Sequence, residues 1–474
     1  MTSIANTAGT LMRRHTSAAL VLLTTSLGVL IAQLDLSVVN LAARHIGSDL
    51  TLGVSALQWV IDAYNLVYAS LLLTGGTLAD LYGRRRIFAL GVAFLIVGSV
   101  ICALAPNGAM LIAGRAVTGL GAALEVPTSL AILAVAYPDA KERAWALGLW
   151  ASCNGLAFVI GPTLGGVLVD HGGWRSIFWL IVPVCAATLG LAMTVVPESS
   201  DPQGRKLDLL GQALAILALA GFSFAVIEAA HWGWGSPIII ACFAVSIIAG
   251  LAFLRVEAGQ PGALVPLDVF RLRPFSGSLA CAGLMTFGMY AMLFLTPLYL
   301  QTVRGTSAFM AAMELLPMSV AFFVVSQGSG WVVDRFGARV AMTAGMFFMG
   351  AGLMMLVGIT PSTSLLLIEA GLLVIGVGLG LNTGPVVGVA VSALPAARSG
   401  TASGLVNTAR MIGATLGIAV LGALFAMFAG QGAENGPGFI PGLRAAYLVG
   451  GIGEWVGAVI AFTCIPGKQT KSAS

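Results

Sequence analysis

Charge is scarce in this chain of 474 residues: Asp, Glu, Lys and Arg together make up 9%, against about a quarter in an ordinary soluble domain. With 58% hydrophobic residues, no water-soluble fold can hide the apolar surface present. Catalytic constellations are missing too. There is no Walker loop and no GxSxG elbow. None of the four histidines (His15, His45, His171, His231) sits in a HExxH or paired arrangement. The six cysteines (Cys102, Cys153, Cys185, Cys242, Cys281, Cys464) form no CxxC pair and all fall in apolar segments, so they read as buried lipophilic side chains. Gly376-Val-Gly378-Leu-Gly380 resembles a dinucleotide loop but lies inside an apolar run with no preceding strand. These absences argue against an enzyme, an ATP-driven machine, a metal site, a cofactor and a nucleic-acid partner.

What the chain has is a succession of apolar runs of about twenty residues, each long enough to cross a hydrocarbon core. Spans are expected to begin near residues 17, 55, 86, 108, 142, 174, 208, 236, 276, 309, 339, 365, 399 and 443. Arg13 and Arg14 precede the first run in the manner of a signal peptide. The run continues through Val39 without a small-residue cleavage site, so it reads as an uncleaved first span.

The net charge of +4 means less than where the charges sit. With a cytoplasmic N-terminus, basic residues such as Arg84, Arg85, Arg86, Lys141, Arg143, Arg205, Lys206, Arg255, Arg271, Arg273, Arg335, Arg339, Arg398, Lys468 and Lys471 fall inside. Only Arg44, Arg175, Arg304 and Arg444 fall outside, while Arg115 and Arg410 lie within spans. The positive-inside rule favours this orientation, with both termini cytoplasmic and an even number of spans.

Loops are short, and the two longest inner links, 197–208 and 257–274, carry Pro, Gly and charge. They divide the chain into residues 1–200, a hairpin of two spans at 201–260, and residues 261–474. The outer two parts repeat each other weakly. Gly76, Asp80 and Gly83 have the spacing of Gly330, Asp334 and Gly337. Gly119, Gly121 and Pro138 likewise match Gly376, Gly378 and Pro395. Eight spans separate the copies, so both face the same side and the halves are parallel repeats of six spans. Two such bundles are the architecture of alternating-access carriers. A mere anchor has no need of ionisable residues at membrane depth.

Four stretches carry a family resemblance. Gly76-Thr-Leu-Ala-Asp80-Leu-Tyr-Gly83-Arg84-Arg85-Arg86 follows the second span. Two glycines there allow a tight turn between helix ends, and Asp80 can face an arginine or a helix N-terminus. Gly155 with Gly161-Pro162-Thr-Leu-Gly165-Gly166 lies in the fifth span, where small residues admit a close helix neighbour and Pro162 removes a backbone bond. Leu34-Asp35-Leu-Ser-Val38-Val39-Asn40 lies in the first span, and Arg115-Ala-Val-Thr118-Gly119 in the fourth. Trp174-Arg175, opening the sixth span, and Gly400 to Arg410 in the thirteenth add to these.

Together they resemble the major facilitator superfamily, in its branch of fourteen-span drug:proton antiporters. Two departures stand out. Ala42-Ala43-Arg44 stands where the branch usually reads Ala-Leu-Pro, and Thr118 stands where Gln is frequent. The resemblance implies an all-α membrane protein of the major facilitator fold, two six-helix bundles plus an inserted two-helix hairpin. It further implies a plasma-membrane exporter of small amphipathic or cationic compounds (drugs, biocides, antibiotics), driven by the proton gradient and needing no cofactor. Its partners are then the substrate, protons and the lipid bilayer, and it is expected to be monomeric. A dedicated metabolite exporter, a proton-linked uptake carrier or a non-transporting receptor of the same fold remain alternatives, although Gly161-Pro162 resembles the motif that marks antiporters over symporters.

Counting along the spans places Asp35 about 9 Å and Arg115 about 10 Å to the outer side of mid-membrane, with Asp62 at a similar depth. Asp35 and Arg115 are expected to pair, either as a static salt bridge or as the coupling site of the two fluxes. Asn40, Glu125, Glu314, Glu369 and Arg410 complete the candidate proton and substrate site. Arg410 is a candidate partner of Glu314, Glu369 or Glu454, each of which could equally serve at a helix end or in packing. Gly76, Asp80, Gly83, Arg84, Arg85 and Asp334 form the candidate cytoplasmic gate. Gly155, Gly161, Pro162, Gly165 and Gly166 form the candidate antiporter hinge.

Overall fold

Hydrocarbon offers a backbone amide no water to bond, so each span must satisfy its own amides, and an uninterrupted helix does so. The computed structural model describes residues 2–201, 207–259, 265–395, 398–429 and 437–468, and only the backbone of 2–17, 140, 144, 154 and 399. Arg13 and Arg14 therefore have no described side chain. Arg205, Lys206 and Lys471 lie outside the described residues.

The helices run α1 (Thr2–Leu50), α2 (Val54–Tyr82), α3 (Arg84–Ala103), α4 (Gly108–Ala136), α5 (Ala140–Gly172), α6 (Arg175–Val195), α7 (Leu209–Trp232) and α8 (Pro237–Gly259). They continue with α9 (Arg273–Thr302), α10 (Ala308–Phe336), α11 (Ala338–Val357), α12 (Leu365–Ser392), α13 (Ser399–Ala429) and α14 (Phe439–Cys464). Among the described residues fourteen helices are long and apolar enough to cross a membrane. Helix α1 begins at Thr2, well ahead of the first span expected near residue 17, and the other expected starts agree closely. Among those the largest difference is at α14, which begins at Phe439 because Pro441 is tolerated in a first turn, where its missing amide would have had no partner. A short 3₁₀ helix, Leu267–Arg271, leads into α9 and had no counterpart in the sequence reading.

Packing repeats itself eight helices apart. In the first bundle α3 lies on α4 and α6, α2 on α4, and α1 on α5 and α6. In the second, α11 lies on α12 and α14, α10 on α12, and α9 on α13 and α14. The bundles meet along two seams related by the same repeat, α5 with α10 and α13 with α2. The hairpin breaks the symmetry. Helix α8 packs on α7, and α7 packs on both α2 and α13, so one seam is covered while the other is bare.

The repeated Gly/Asp/Gly segments are not loops, as their glycines suggested. Gly76 and Asp80 lie within α2, and Gly330 and Asp334 within α10. The turn is one residue long in each copy, Gly83 at φ 107° and Gly337 at φ 90°, which is backbone that side-chain-bearing residues rarely adopt. Each turn is held by the chain that follows the sixth helix of its own bundle. The Arg84 amide donates to the Ser199 carbonyl (2.8 Å), and the Asp201 amide to that of Asp80 (2.9 Å). In the second copy Lys468 Nζ donates to the Arg335 carbonyl (2.9 Å), and Arg339 Nε to that of Ile465 (2.7 Å).

Candidate functional site

Asp35 on α1 and Arg115 on α4 form an ion pair, both side chains wholly buried. Arg115 Nε also donates to the Val60 carbonyl of α2 at 3.0 Å. Its guanidinium lies over the Tyr64 ring, 4.7 Å from the centroid. Tyr64 is fixed in turn by a bond from its hydroxyl to the Ala32 carbonyl (3.1 Å). Three helices thus converge on one cation. The pair is not saturated: Asp35 Oδ1 and one terminal nitrogen of Arg115 have no hydrogen-bond partner. A carboxylate can accept several bonds and a guanidinium can donate five, so unused positions on buried ions are costly and leave room for a proton or a ligand group.

Asp62 on α2 is fully buried but does not join this pair. It faces the hydroxyls of Ser223 on α7 and Thr415 on α13. Neither the carboxylate oxygens nor the two hydroxyls meet good hydrogen-bond geometry. Gln58, one turn away, donates to the Ile418 carbonyl of α13 at 2.9 Å. Trp59 Nε1 donates to Glu228 of α7 at 2.9 Å. Gln58, Asp62 and Asn65 recur at helical spacing, a polar stripe inside an apolar span that the sequence reading represented by Asp62 alone.

The remaining candidates are dispersed. Asn40 turns its amide back to the Leu36 carbonyl of its own helix (2.9 Å), and its oxygen is unpaired. Glu125 points inside the first bundle, where Gly28 of α1 leaves space for its carboxylate, and neither oxygen is bonded. Arg410, expected to pair with Glu314, Glu369 or Glu454, instead donates to the Thr383 carbonyl (2.9 Å) and stands near Tyr68 and Tyr290. For Glu314 and Glu369 the reason is depth. They lie near each other in the second turns of α10 and α12, Glu314 also near Arg304, whereas Arg410 lies well inside α13 from the opposite face. Glu454, only a weak candidate from sequence, is wholly buried on α14 against Gly288, with both oxygens unpaired. Asp334 is exposed, while Asp80 pairs with Arg84 at 2.8 Å and Glu198 lies within 4 Å of both Arg85 and Arg86.

The glycines of α5 lie where that helix touches others. Gly161 faces Ser37 of α1, and Gly165 faces Val38. A methyl group at Gly166 would come within 2.6 Å of the Phe309 Cα on α10, and one at Gly155 within 3.2 Å of the Phe323 ring. Gly148 and Gly328, nearer the Gly83 side, meet nothing. Helices α5 and α10 therefore touch from mid-membrane to the face opposite the Gly83 turn and part toward the other.

Asp170 and Gln301, which no sequence signal marked, join the two bundles at the face opposite the Gly83 turn. The Asp170 carboxylate of α5 accepts from the Ala308 and Phe309 amides of α10, each at 3.0 Å. Gln301 of α9 donates to the Leu41 carbonyl of α1 at 2.8 Å. Trp174 and Arg175, part of the sequence resemblance, bind Asp49 at the end of α1 at 2.9 and 2.5 Å.

Residues 25–418 match the model of the Major Facilitator Superfamily. The chain belongs to this superfamily. It is 39% identical over 407 residues to multidrug resistance protein Stp of Mycobacterium tuberculosis, covering 86% of this chain and 76% of that one. The methylenomycin A resistance protein of Bacillus subtilis is 34% identical, covering 92% and 93%. The multidrug efflux pump LfrA of Mycolicibacterium smegmatis is 31% identical, covering 90% and 85%. A crystal structure of the peptide transporter POT superposes with TM-score 0.68 over 95% of this chain and 97% of that one, at 16% identity, and so shares the fold. This major facilitator protein is a multi-pass membrane transporter related to drug efflux pumps, and not an enzyme.

Proposed function

We propose that this transporter exports small amphipathic or cationic compounds by proton antiport, with Asp35 and Arg115 as the coupling pair. The observation that carries this reading is the wholly buried, half-satisfied ion pair at the junction of α1, α2 and α4. When Asp35 takes a proton on its free oxygen it loses its charge. Arg115 is then left without a counter-ion in a low-dielectric site, and its helix must move or a ligand anion must replace the carboxylate. Release of the proton restores the pair. Asp62 offers a second carboxylate at the α2/α13 seam, with Asn40, Glu125 and Arg410 as further polar groups in the transport path. Glu314 and Glu369, at helix ends, are assigned to the outer approach.

Residues 1–200 and 261–474 act as the two rocking bundles and 201–260 as an accessory hairpin. Both termini lie in the cytoplasm, the Gly83 and Gly337 turns face it as the inner gate, and the chain works as a monomer in the plasma membrane. Gly155, Gly161, Pro162, Gly165 and Gly166 are the pivot surface of α5. The positive-inside distribution of Lys and Arg supports this orientation. Relatives named for several drugs and for one antibiotic, methylenomycin A, make both substrate ranges worth testing.

The test is proton release from acid-loaded proteoliposomes when lipophilic cations and neutral antibiotics are added. Wild type is expected to dissipate the gradient with at least one compound, and Asp35→Asn to abolish the effect. Substrate-dependent proton flux that survives in Asp35→Asn removes the pair from the mechanism, and no flux with any compound removes drug antiport.

A further inference from the structure

Between the inserted hairpin and α9 lies a chamber of about 650 Å3, within the range of small-molecule sites. Its walls are almost wholly apolar, with Ala69 from α2, Ala218 from α7, Phe253 from α8, Ala280 and Phe287 from α9, and Ile412 from α13. It runs from mid-membrane to the face of the Gly83 turn, where Val265, Phe270 and Ser276 form its rim. The chamber exists because α7 rests on α2 and α13 while α8 rests on α7, leaving the hairpin standing off α9.

The α9 side of the rim is cationic, while on the hairpin side the buried Glu257 accepts from the Val265 amide at 3.0 Å and lies beside Asp208. Arg271 and Arg273 flank the α9 side, exposed and in no ion pair among the described residues. Arg398, a third cation of this region, is spent on Asp268 at 2.8 Å. Phe270 (40% exposed) and Leu272 (42% exposed) alternate with the two arginines, the mixture of apolar and basic side chains that settles at a headgroup boundary. Glu257 and Asp208 are at least half-buried and bonded to the Val265 and Gly211 amides, so the charge presented outward is that of the two exposed arginines, which favours an amphiphile with an anionic head over a lipophilic cation.

We infer that the chamber holds an acyl chain of an anionic phospholipid from the inner leaflet, its phosphate bound at Arg271 and Arg273. The leaflet named rests on the orientation proposed above; the site itself does not depend on proton antiport. The lipid fills the gap between the hairpin and α9, and so adds a second link to the second bundle beside the contact of α7 with α13.

The experiment is mass spectrometry of lipid retained by full-length protein extracted from equimolar phosphatidylglycerol and phosphatidylcholine vesicles, without gradient or substrate. Wild type is expected to retain phosphatidylglycerol in preference by on the order of tenfold, the effect of two basic side chains at a headgroup. The double variant Arg271→Gln, Arg273→Gln loses that preference, while Arg271→Lys, Arg273→Lys keeps it. Ala280→Trp, which fills the chamber, lowers the amount of lipid retained. Equal retention of the two lipids by wild type, or an unaltered preference in the double Gln variant, overturns the proposal. Displacement of the lipid by tetraphenylphosphonium overturns it too, and gives the chamber to transported cations.

Discussion

The carboxylate of Asp170, in the last turn of α5, binds the amide of Ala308 that opens α10 at 3.0 Å, joining the two bundles at the face opposite the Gly83 turn. Phe309 gives the same carboxylate a second amide. The arrangement caps a helix in one bundle with a side chain from the other. Opening that face must therefore expose both the amides and the acid.

A cap of this kind contributes about 1 kcal/mol, so Asp170→Ala should shift the balance toward the state open at the face opposite the Gly83 turn by about fivefold. Double electron–electron resonance between labels at His171 and Met310 reports it as growth of a longer-distance population. An unchanged distribution would mean that packing alone closes the seam.

Arg115→Lys keeps the charge beside Asp35 but loses the Nε bond to Val60 and the flat stacking on Tyr64. Exchange is expected to fall by about tenfold or more, since a compact ammonium cannot reproduce a planar fork. Drug-driven proton release at the wild-type rate in Arg115→Lys would show that charge alone suffices.

Gly166→Ala places a methyl group 2.6 Å from the backbone of Phe309, whereas Gly155→Ala meets only a ring edge at 3.2 Å. The first cannot be absorbed by a side-chain movement and should force α5 from α10, lowering transport far more than the second. Comparable activity of the two variants in the same assay would contradict this contact geometry.

Ser223 on the hairpin and Thr415 on α13 face the same acid, Asp62. Their alanine variants should therefore be non-additive, with a coupling above about 0.5 kcal/mol in exchange rate. Strict additivity in a double-mutant cycle would separate the hairpin from Asp62.

Asp268, outside the spans, is held below the usual carboxylate range by its hydrogen bond from Arg398. Its contribution to stability is present above the ordinary carboxylate pKa and is lost as pH falls through the depressed one. Both partners are largely exposed, so the contribution is under about 1 kcal/mol. Arg398→Gln should lower the midpoint of thermal unfolding slightly at neutral pH, and the difference should vanish in acid.

Fourteen spans, their starts, the eight-helix repeat and the pairing of Asp35 with Arg115 were all legible in the sequence. Hydrophobic length and unavoidable charge are local quantities: an arginine at the depth of Arg115 needs a partner, and Asp35 is one of the few acids at that depth. Depth likewise separates Arg410 from Glu314 and Glu369, which lie near the opposite ends of their spans. The Gly76 motif misled in detail, because glycine inside an apolar helix can pack as well as turn, and only the positive φ of Gly83 separates the two.

The sequence by itself determined that this chain lives in a bilayer, in two parallel six-helix halves with a hairpin between them, because burial of apolar length and the distribution of Lys and Arg depend on composition along the chain. Tertiary structure alone decided that Asp170 caps α10, that Ser223 of the hairpin faces Asp62, and that a chamber flanked by two arginines separates the hairpin from α9. These depend on which helix faces meet across hundreds of residues, and apolar faces in a membrane look alike until they are packed.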